Sequence, residues 1–433
     1  MKIFGTHEQG TIQQLTTCVE ADDNAIGVLC ADGHIGYSMP IGGVVAYRDK
    51  ISPSGVGYDI ACGNMAVKTN ILAQDVYPNE MRQIADRIAD EIAFGVGRKN
   101  NKPLDAPVLD MIKDSPCVQQ RGLRSMAAAQ LGTVGSGNHY VDVLEDEDGY
   151  LWVANHFGSR GFGHKTATGF LNLAKGADFS AHGSDGEMFS PPVLLSVHSQ
   201  IGQDYIAAMN IAGEYAYEGR RQVVQTVLDI IGAKAVDTVH NHHNFAWQEQ
   251  HGGASYWVVR KGATPAQPGQ RGFVGGSMGD ISVILEGVDS PDASVALYST
   301  MHGAGRVMSR NQAIKGKHQW ACKVESLPSV PCAVAYLMPR DKDRMPKNMK
   351  CPVHDVALIK EQLTPPVNFR DVQDRLTERG IILRGAGPDE SPAVYRPLRD
   401  VLAAHAATIK VTTILQPRIV VMAGKDIKDP YKD

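Results

Sequence analysis

A histidine beside a glycine-rich turn is the most reactive feature of the chain. Residues 299–310 read STMHGAGRVMSR, so that His302 is followed by small residues and then by Arg306 and Arg310. Small residues let a phosphate approach the backbone amides, and the two arginines could neutralise an anionic leaving group. A histidine in this setting could attack a phosphorus atom, as nucleotidyl transfer requires, although His-Gly pairs also mark ordinary turns.

A second candidate is the glycine-rich stretch SGVGYDIACG at residues 54–63. Its Asp59 and Cys62 are three residues apart, a spacing that allows a carboxylate and a thiol to reach one ion. For this pair alone, a turn aspartate and a small buried cysteine are the more ordinary interpretation. The stretch therefore indicates a metal site only if further ligands join it.

Three further segments carry histidines next to predicted regular elements. His139 follows a predicted helix, and His156 follows the strand-like residues 151–154. His242 and His243 end a helix-like run. Ligands converge at loop ends on a rigid scaffold, whereas a histidine of the core is more often flanked by apolar residues. These positions therefore favour a metal or catalytic site.

Composition predicts a folded protein. Its 433 residues are 43% hydrophobic, enough for a large core in one or two domains. The N-terminus lacks a basic segment followed by an apolar one, and no apolar run approaches a membrane span. Seven scattered cysteines fit a reducing compartment, and those interpreted as structural are Cys18, Cys30, Cys117, Cys322, Cys332 and Cys351. We expect a cytoplasmic protein with no membrane association.

The net charge says little about nucleic acid. A formal charge of -4 argues against indiscriminate binding of nucleic acid, but it leaves room for a local basic groove. A solvated face is an equally good interpretation of the candidate cations, and Asp341 and Asp343 dilute them. The candidates are Arg306, Arg310, Lys315, Lys317, Lys323, Arg340, Lys342, Arg344, Lys347 and Lys350.

Strand-like and helix-like segments are mixed along the chain. Runs at residues 26–30 and 333–337 predict strands, and hydrophobic stripes predict helices near residues 78–94, 204–232 and 397–408. The polar residues 338–353 predict a loop or an excursion, and no repeat or long linker is present. The pattern predicts an α+β fold in a single catalytic domain, residues 1–433.

Together these segments resemble the RtcB family of RNA ligases, from about residue 20 to the C-terminus. The stretches that carry the resemblance are SPSGVGYDIACG (52–63), GSGNH (135–139), GSR (158–160), GQDY (202–205), HHN (242–244), GSMG (276–279) and the His302 segment. The resemblance implies an RtcB-like α+β fold with mixed sheets, flanking helices and an active site in a central cleft. It also implies joining of an RNA 3′-phosphate or 2′,3′-cyclic phosphate end to a 5′-hydroxyl end, in tRNA splicing or RNA repair.

The resemblance further implies the cofactors and the residues that hold them. GTP and two manganese ions would be used, and an activating partner such as archease is left open; ligand types alone would have favoured zinc. One ion would take Asp59, Cys62 and His139, and the second would take Cys62, His156 and His243. His302 would be the nucleophile that carries GMP. The nucleotide would contact Asn138, His139, Tyr140, Val141, Asp142, His243, Asn244, Gly275, Gly276, Ser277, Met278, Ser282, His302, Gly303, Ala304, Gly305 and Lys425.

Several positions depart from the family pattern. Asp142 stands where the family commonly has Glu to read the guanine edge, Gly275 replaces a Pro, and Gly219 replaces an Asn. The family's C-terminal Lys, which reaches the base, is replaced by Ala423, and Lys425 is the nearest substitute. These differences indicate a divergent paralogue. A metal-dependent phosphodiesterase and a non-catalytic RNA-end binder are the alternatives to a ligase, and the retained His302 disfavours both.

Overall fold

The structure is a computed structural model. It describes residues 1–181, 188–322, 330–331, 350, 355, 358–425 and 427. The helices in this part of the chain are α1 (Gln9–Glu20), α2 (Pro53–Val56), α3 (Pro78–Glu91), α4 (Val108–Lys113), α5 (Val118–Arg121), α6 (Arg124–Gln130), α7 (Arg160–Ala174), α8 (Gln200–Ile231), α9 (Pro291–Val295), α10 (Arg310–Lys315), α11 (Phe369–Glu378) and α12 (Leu398–Ala404).

The strands alternate with these helices in no regular order. They are β1 (Lys2–Ile3), β2 (Ile26–His34), β3 (Ile41–Tyr47), β4 (Lys50–Ile51), β5 (Gly63–Leu72), β6 (Tyr140–Glu145), β7 (Tyr150–Phe157), β8 (Leu195–Ser196), β9 (Ala235–His242), β10 (Asn244–His251), β11 (Ala254–Lys261), β12 (Ala263–Pro265), β13 (Arg271–Val274), β14 (Ser282–Gly287), β15 (Ser299–Met301), β16 (Lys317–Cys322), β17 (Val330–Pro331), β18 (Leu358–Thr364), β19 (Ile382–Ala386) and β20 (Ile409–Gly424). The prediction of an α+β fold is confirmed by this mixture.

Two larger sheets form the framework. One has the order β13-β14-β20-β6-β7-β5-β9, with β19 parallel to β20 beside it, and the other has the order β1-β2-β3-β11-β10. Smaller pairings join β12 to β15, β4 to β8, and β17 to β16 to β18. Antiparallel pairing of β5 with both β7 and β9 brings the first residue of β5 beside His242 and Phe157. Distant segments of the chain therefore meet at the start of β5.

The interior of the large sheet explains why β7 is buried along almost its whole length. On one face, Val153 packs with Val67 and with residues of α8 such as Val223. On the other face, Trp152 packs with Phe273 and other residues of β13 and β14. A strand covered on both faces carries apolar side chains at consecutive positions rather than in alternation. The predicted ligand His156 is the penultimate residue of this strand.

Helix α8 shows clear start and stop signals. The Ser199 hydroxyl accepts a hydrogen bond from the backbone nitrogen of Gly202, and Gly232 ends the helix in a left-handed conformation with φ 75°. The prediction that His242 and His243 end a helix-like run is therefore wrong. Residues 235–242 form β9 instead, because the chain turns at Gly232 and pairs with β5.

The other predicted elements can be compared directly. The helices expected near residues 78–94, 204–232 and 397–408 correspond to α3, α8 and α12, with α12 shorter than expected. The strand expected at residues 26–30 lies in β2. The strand expected at 333–337 lies outside the described residues, as does the stretch 338–353 apart from Lys350. In the described part of the chain, no helix is long and apolar enough to cross a membrane.

Candidate active site

Most of the predicted site residues surround one cavity of about 340 Å³. Its lining includes residues of both larger sheets, such as His156 of β7 and Lys261 of β11. The predicted ligands and the predicted nucleophile line it together: Asp59, Cys62, His139, His156, His243 and His302. The placement of this site in a central cleft stays a prediction.

A tight turn presents Asp59 and Cys62 to the cavity. The backbone nitrogen of Cys62 donates to the carbonyl oxygen of Asp59 at 3.1 Å, and Ala61 between them has a left-handed φ of 60°. A Cβ at Gly63 would lie 2.2 Å from the carbonyl oxygen of Asn241, so only glycine allows β9 to come this close. The turn therefore packs closely against the end of β9.

Cys62, His139 and His156 bring one ligand atom each within 4.8 Å of one another. The Cys62 Sγ lies 3.7 Å from Nε2 of His139 and 3.6 Å from Nε2 of His156. The Nε2 of His139 also lies 3.1 Å from Oδ2 of Asp59. Thiolate, imidazole and carboxylate are donors to divalent transition metals, so the donor set fits a metal centre.

The tautomer of His156 is fixed from behind by Asn64. The amide nitrogen of Asn64 donates to the carbonyl oxygen of Phe273, so its oxygen faces Nδ1 of His156 at 2.7 Å. Nδ1 must then carry the proton, and Nε2 presents a lone pair toward Cys62. A second hydrogen bond of this type is what orients histidines that bind metals.

His243 stands beside this cluster rather than within it. Its ring stacks on His156 with centroids 5.0 Å apart, and the His302 ring lies 4.7 Å away. Among the described residues, the buried Nδ1 of His243 has no hydrogen-bond partner. Buried nitrogen atoms without partners are costly unless something else, such as a cation, occupies them. This is a second observation that the residues fit a metal.

The protonation of the cluster has clear physical causes. Burial, together with the neighbouring imidazoles and Arg220, holds the pKa of His156 and His243 well below the ordinary value, so both rings are neutral. Burial and the Asp59 carboxylate raise the pKa of the Cys62 thiol well above its ordinary value. A bound cation would reverse this effect, because it stabilises the thiolate directly.

Arg220 of α8 holds the backbone next to three predicted ligands. Its guanidinium is fully buried and donates to the carbonyl oxygens of Ala61 and Phe157, at 3.0 and 2.7 Å. It also lies 2.9 Å from Nδ1 of His242, whose ring stacks on Tyr217 at 3.8 Å. These contacts fix the neighbours of Cys62, His156 and His243. His242 itself faces this core and does not line the cavity.

Asp32 holds His302 in place. Its Oδ2 accepts from Nδ1 of His302 at 2.7 Å, from the backbone nitrogen of His302 at 3.0 Å and from that of Gly303 at 3.2 Å. The Asp32 side chain is fully buried. Burial alone would raise the pKa of Asp32, but the charge and hydrogen bonds of His302 outweigh it and lower the pKa. When the His302 ring is neutral, Nδ1 is therefore the nitrogen that carries the proton, which leaves Nε2 with the lone pair.

The residues expected to hold the nucleotide fall into two groups. Most of them line the same cavity: Asn138, His139, Tyr140, Asp142, His243, Asn244, Gly275, Gly276, Ser277, Met278, His302, Gly303, Ala304 and Gly305. Val141, Ser282 and Lys425 do not line it. Val141 is buried in the sheet, whereas the Ser282 hydroxyl accepts from the backbone nitrogen of Gly276 at 3.3 Å and supports the turn. Lys425 is exposed.

Asp142 is a buried carboxyl group at one side of the cavity. Asp142 is 9% exposed, and in the described part of the chain its Oδ1 has no hydrogen-bond partner. Burial raises the pKa of Asp142 well above its ordinary value. A buried carboxyl oxygen with an unused acceptor is suited to a ligand that brings N–H donors.

One departure from the family pattern has a steric explanation. A Cβ at Gly275 would lie 2.0 Å from the hydroxyl oxygen of Tyr140, so the Tyr140 side chain fills the space that a larger residue would need. The Tyr140 ring also stacks on His156 at 5.4 Å with an interplanar angle of 12°. Nothing in the structure explains Gly219, where an added Cβ would meet only ordinary contacts.

The structure describes only some of the cations that were candidates for a basic groove. Arg306 and Arg310 line the cavity, and both lie beside the buried carboxylate of Glu390, at 3.3 and 3.6 Å. Lys315 and Lys317 are exposed, and Lys350 pairs with Asp355 at 3.1 Å. The remaining candidates lie outside the described residues: Lys323, Arg340, Lys342, Arg344 and Lys347.

Several residues of the site were not predicted from the sequence. They are Asp32, Asn64, Arg220, Lys261, Glu390 and Tyr395. Lys261 is 6% exposed, donates to the carbonyl oxygen of Tyr37, and has a pKa lowered to about 8 by burial. Two consecutive charged residues at the end of an otherwise apolar run, as in YWVVRK of β11, are the signal that could have found it.

Comparison with known proteins points to one family. A family model described as tRNA-splicing ligase RtcB matches residues 17–120 and 109–327. The tRNA-splicing ligase RtcB of Aeropyrum pernix is 31% identical over 366 residues, covering 67% of this chain and 75% of the relative. The RNA-splicing ligase RtcB of Escherichia coli K12 is 31% identical over 66% of this chain and 74% of its own. For the tRNA-splicing ligase RtcB of Pyrobaculum aerophilum, 31% identity extends over 92% of this chain and 87% of the relative.

Proposed function

Because this chain belongs to the RtcB family, we propose that it is an RNA ligase that joins a 3′-phosphate or 2′,3′-cyclic phosphate end to a 5′-hydroxyl end. The observation that carries the proposal is His302, which is held by Asp32 and lies beside the cluster of Cys62, His139 and His156. A nucleophile, an orienting carboxylate and a fitting metal-donor set then lie around one cavity. Activity in the cytoplasm, in tRNA splicing or RNA repair, is part of the proposal.

The first step is guanylylation of His302. Its Nε2 attacks the α-phosphorus of GTP, an N–P bond forms, and the bond from that phosphorus to the bridging oxygen breaks with departure of pyrophosphate. Asp32 keeps the proton on Nδ1 and stabilises the positive charge that develops on the ring, as a carboxylate does for a catalytic imidazole. His302 then carries GMP through a phosphoramidate bond.

Metal ions would assist this step. Two manganese ions would neutralise charge on the phosphoryl oxygens and help pyrophosphate to leave. Their proposed ligands are Asp59, Cys62, His139, His156 and His243. The protein chain holds these donors in place. Asn64 accepts a hydrogen bond from His156, and Arg220 donates to the backbone carbonyl of Phe157, the residue after His156.

The later steps transfer GMP to RNA and release it. An oxygen of the RNA 3′-phosphate attacks the phosphorus atom on His302, the N–P bond breaks, and the electron pair returns to Nε2. The 5′-hydroxyl oxygen then attacks the activated 3′-phosphorus, GMP departs, and the hydroxyl proton passes to solvent. A cyclic phosphate must first be opened by water. Arg306 and Arg310 at the cavity wall are suited to bind the anionic groups.

The nucleotide base would be read by Asp142. Guanine offers N–H donors at N1 and N2, which adenine does not, and Asp142 has the unused acceptor oxygen that they require. Lys425 is the weaker candidate, because it is exposed and does not line the cavity.

RNA joining tests the proposal directly. Two oligoribonucleotides, one with a 3′-phosphate and one with a 5′-hydroxyl, are incubated with the protein, GTP and MnCl₂, and the products are separated by length. We expect a joined product that requires GTP, is lost in His302→Ala and persists in His198→Ala, which changes an exposed histidine away from the cavity. Hydrolysis of a cyclic phosphate end without joining would instead support a metal-dependent phosphodiesterase. Binding of RNA ends without either reaction would support a non-catalytic binder.

A further inference from the structure

A loop at residues 95–103, GVGRKNNKP, carries a concentration of positive charge beside the candidate site. We propose that this basic loop binds the phosphates of single-stranded RNA as the strand leaves the cavity, a proposal that rests on the RNA-joining function above. Its Arg98, Lys99 and Lys102 are all exposed. No Asp or Glu occurs between Glu91 and Asp105. The loop is therefore strongly cationic in a chain whose formal charge is -4.

Hydrogen bonds attach the loop to the turn that presents His139. The backbone nitrogen of Gly95 lies 2.9 Å from the carbonyl oxygen of Val134 and 3.0 Å from that of Gly135. Gly135 in turn touches the predicted ligand, because a Cβ there would lie 2.1 Å from Nδ1 of His139. The carbonyl oxygen of Gly95 accepts from Arg160 at 3.2 Å. The loop thus begins next to the candidate metal cluster.

The same turn connects the loop to the arginines of the cavity. A Cβ at Gly137 would lie 2.3 Å from a guanidinium nitrogen of Arg310, so Arg310 rests on this turn. Arg310 lines the cavity together with His302 and Arg306. Arg310 at the cavity wall and Gly95 at the start of the basic loop therefore contact the same turn, residues 134–137. An RNA strand that leaves the cavity beside Arg310 would pass this turn and reach the basic loop.

The backbone of the loop is held while its cationic side chains face solvent. The backbone nitrogen of Arg98 donates to the carbonyl oxygen of Gly95 at 3.4 Å, which closes a turn whose ends are less than about 7 Å apart. Asn100 is fixed on both sides, with its backbone nitrogen 2.9 Å from the carbonyl oxygen of Ala129 and its amide 2.5 Å from that of Leu131. Because the backbone of the loop is already held, less conformational entropy is lost when a ligand binds.

The chemistry of the loop selects phosphates rather than bases. Lysine and arginine bind phosphate oxygens, whereas recognition of unpaired bases relies on aromatic stacking. The loop contains no aromatic residue. We therefore expect its contribution to RNA binding to be independent of nucleotide sequence and strongly dependent on salt.

The test compares a triple variant, Arg98→Ser with Lys99→Ser and Lys102→Ser, with the unmodified protein. Affinity for a single-stranded oligoribonucleotide with a 3′-phosphate is measured between 50 and 200 mM salt, a range over which three phosphate contacts change the affinity by roughly 20-fold. We expect weaker binding and a slope of log K against log salt that is shallower by about 0.7 for each lost contact, or roughly 2 for all three. Labelling by GTP should be unchanged, which also shows that the variant is folded.

A matched control removes the same charge elsewhere. Lys234, Arg399 and Lys410 are exposed and do not line the cavity, and the serine variant of all three should keep the affinity and the slope of the unmodified protein. If the loop variant binds RNA with unchanged slope, or if both triple variants lose the same amount, the loop proposal is overturned while the ligase assignment stands. If the unmodified protein neither labels with GTP nor joins RNA, the proposed function fails, and the loop proposal fails with it.

Discussion

Oδ2 of Asp32 lies 2.7 Å from Nδ1 of His302 and 3.0 Å from the backbone nitrogen of the same residue. Since the carboxylate accepts at Nδ1, the lone pair of the ring is directed through Nε2. The His156 ring lies 6.5 Å from the His302 ring, measured between centroids. We therefore propose that Asp32 positions the ring of His302, the proposed nucleophile.

We predict that Asp32→Asn slows guanylylation of His302 by between about 10-fold and 10⁴-fold, because an amide can donate to Nδ1 and favour the wrong tautomer. The affinity for GTP should change little. Rates of labelling measured across GTP concentrations separate the two effects. Labelling at the unmodified rate would show that Asp32 does not orient His302.

The shared position of Cys62 predicts a distinctive pattern of metal loss. Cys62→Ser should weaken occupancy at both ions, whereas His156→Ala should chiefly empty one of them. His198→Ala is the control, because His198 is an exposed histidine that does not line the cavity. Metal analysis after equilibration with MnCl₂ and desalting measures this. Full occupancy by two ions in Cys62→Ser would exclude a bridging thiolate.

Arg220 is expected to support the metal centre without touching the ions. Arg220→Lys keeps the charge but loses hydrogen bonds to Ala61, Phe157 and His242, each costing roughly 1–3 kcal/mol of stability if its partner stays buried. We predict a lower melting temperature and a weaker manganese affinity. The neighbouring Arg221 is half exposed, so Arg221→Lys should change neither quantity. Normal manganese affinity in a folded Arg220→Lys protein would contradict the positioning role.

Asp142 and Lys425, the two positions near the proposed base site that differ from the family pattern, lead to a prediction about nucleotide selection. A buried polar group left unpaired by the wrong base reduces the binding free energy by roughly 1–3 kcal/mol. Even one hydrogen bond to the guanine base should therefore favour GTP over ATP by about tenfold or more. Asp142→Ala should lower the ratio of GTP to ATP labelling more than Lys425→Ala does, because Asp142 lines the cavity and Lys425 is exposed. Equal labelling of the unmodified protein by the two nucleotides would remove Asp142 from the role of reading guanine.

The local sequence motifs predicted parts of the site because each motif forms one short structural unit. The Asp59 to Cys62 spacing becomes one turn, and the glycines after His302 become the wall of the cavity. Helix α8 follows its hydrophobic stripe and ends at a glycine with positive φ. In such cases the geometry depends on neighbours in the chain, so the sequence pattern was sufficient.

Other features depend on contacts between distant parts of the chain. Asp32 precedes His302 by 270 residues, and no pattern within either segment predicts that they meet. The segment around His240 was mistaken for the end of a helix because its pairing with β5 is a tertiary contact. The space over Gly275 is filled by Tyr140, which only the assembled sheet brings there. These parts required the structure.

The most direct measurement is the mass of the intact protein after incubation with GTP and MnCl₂. We predict an acid-labile adduct with the mass of GMP, mapped to His302 by peptide analysis under neutral conditions. His302→Ala should lack the adduct while it retains bound metal, because His302 is not among the proposed ligands. An adduct that persists in His302→Ala, or an unmodified protein that never acquires one, would contradict the account.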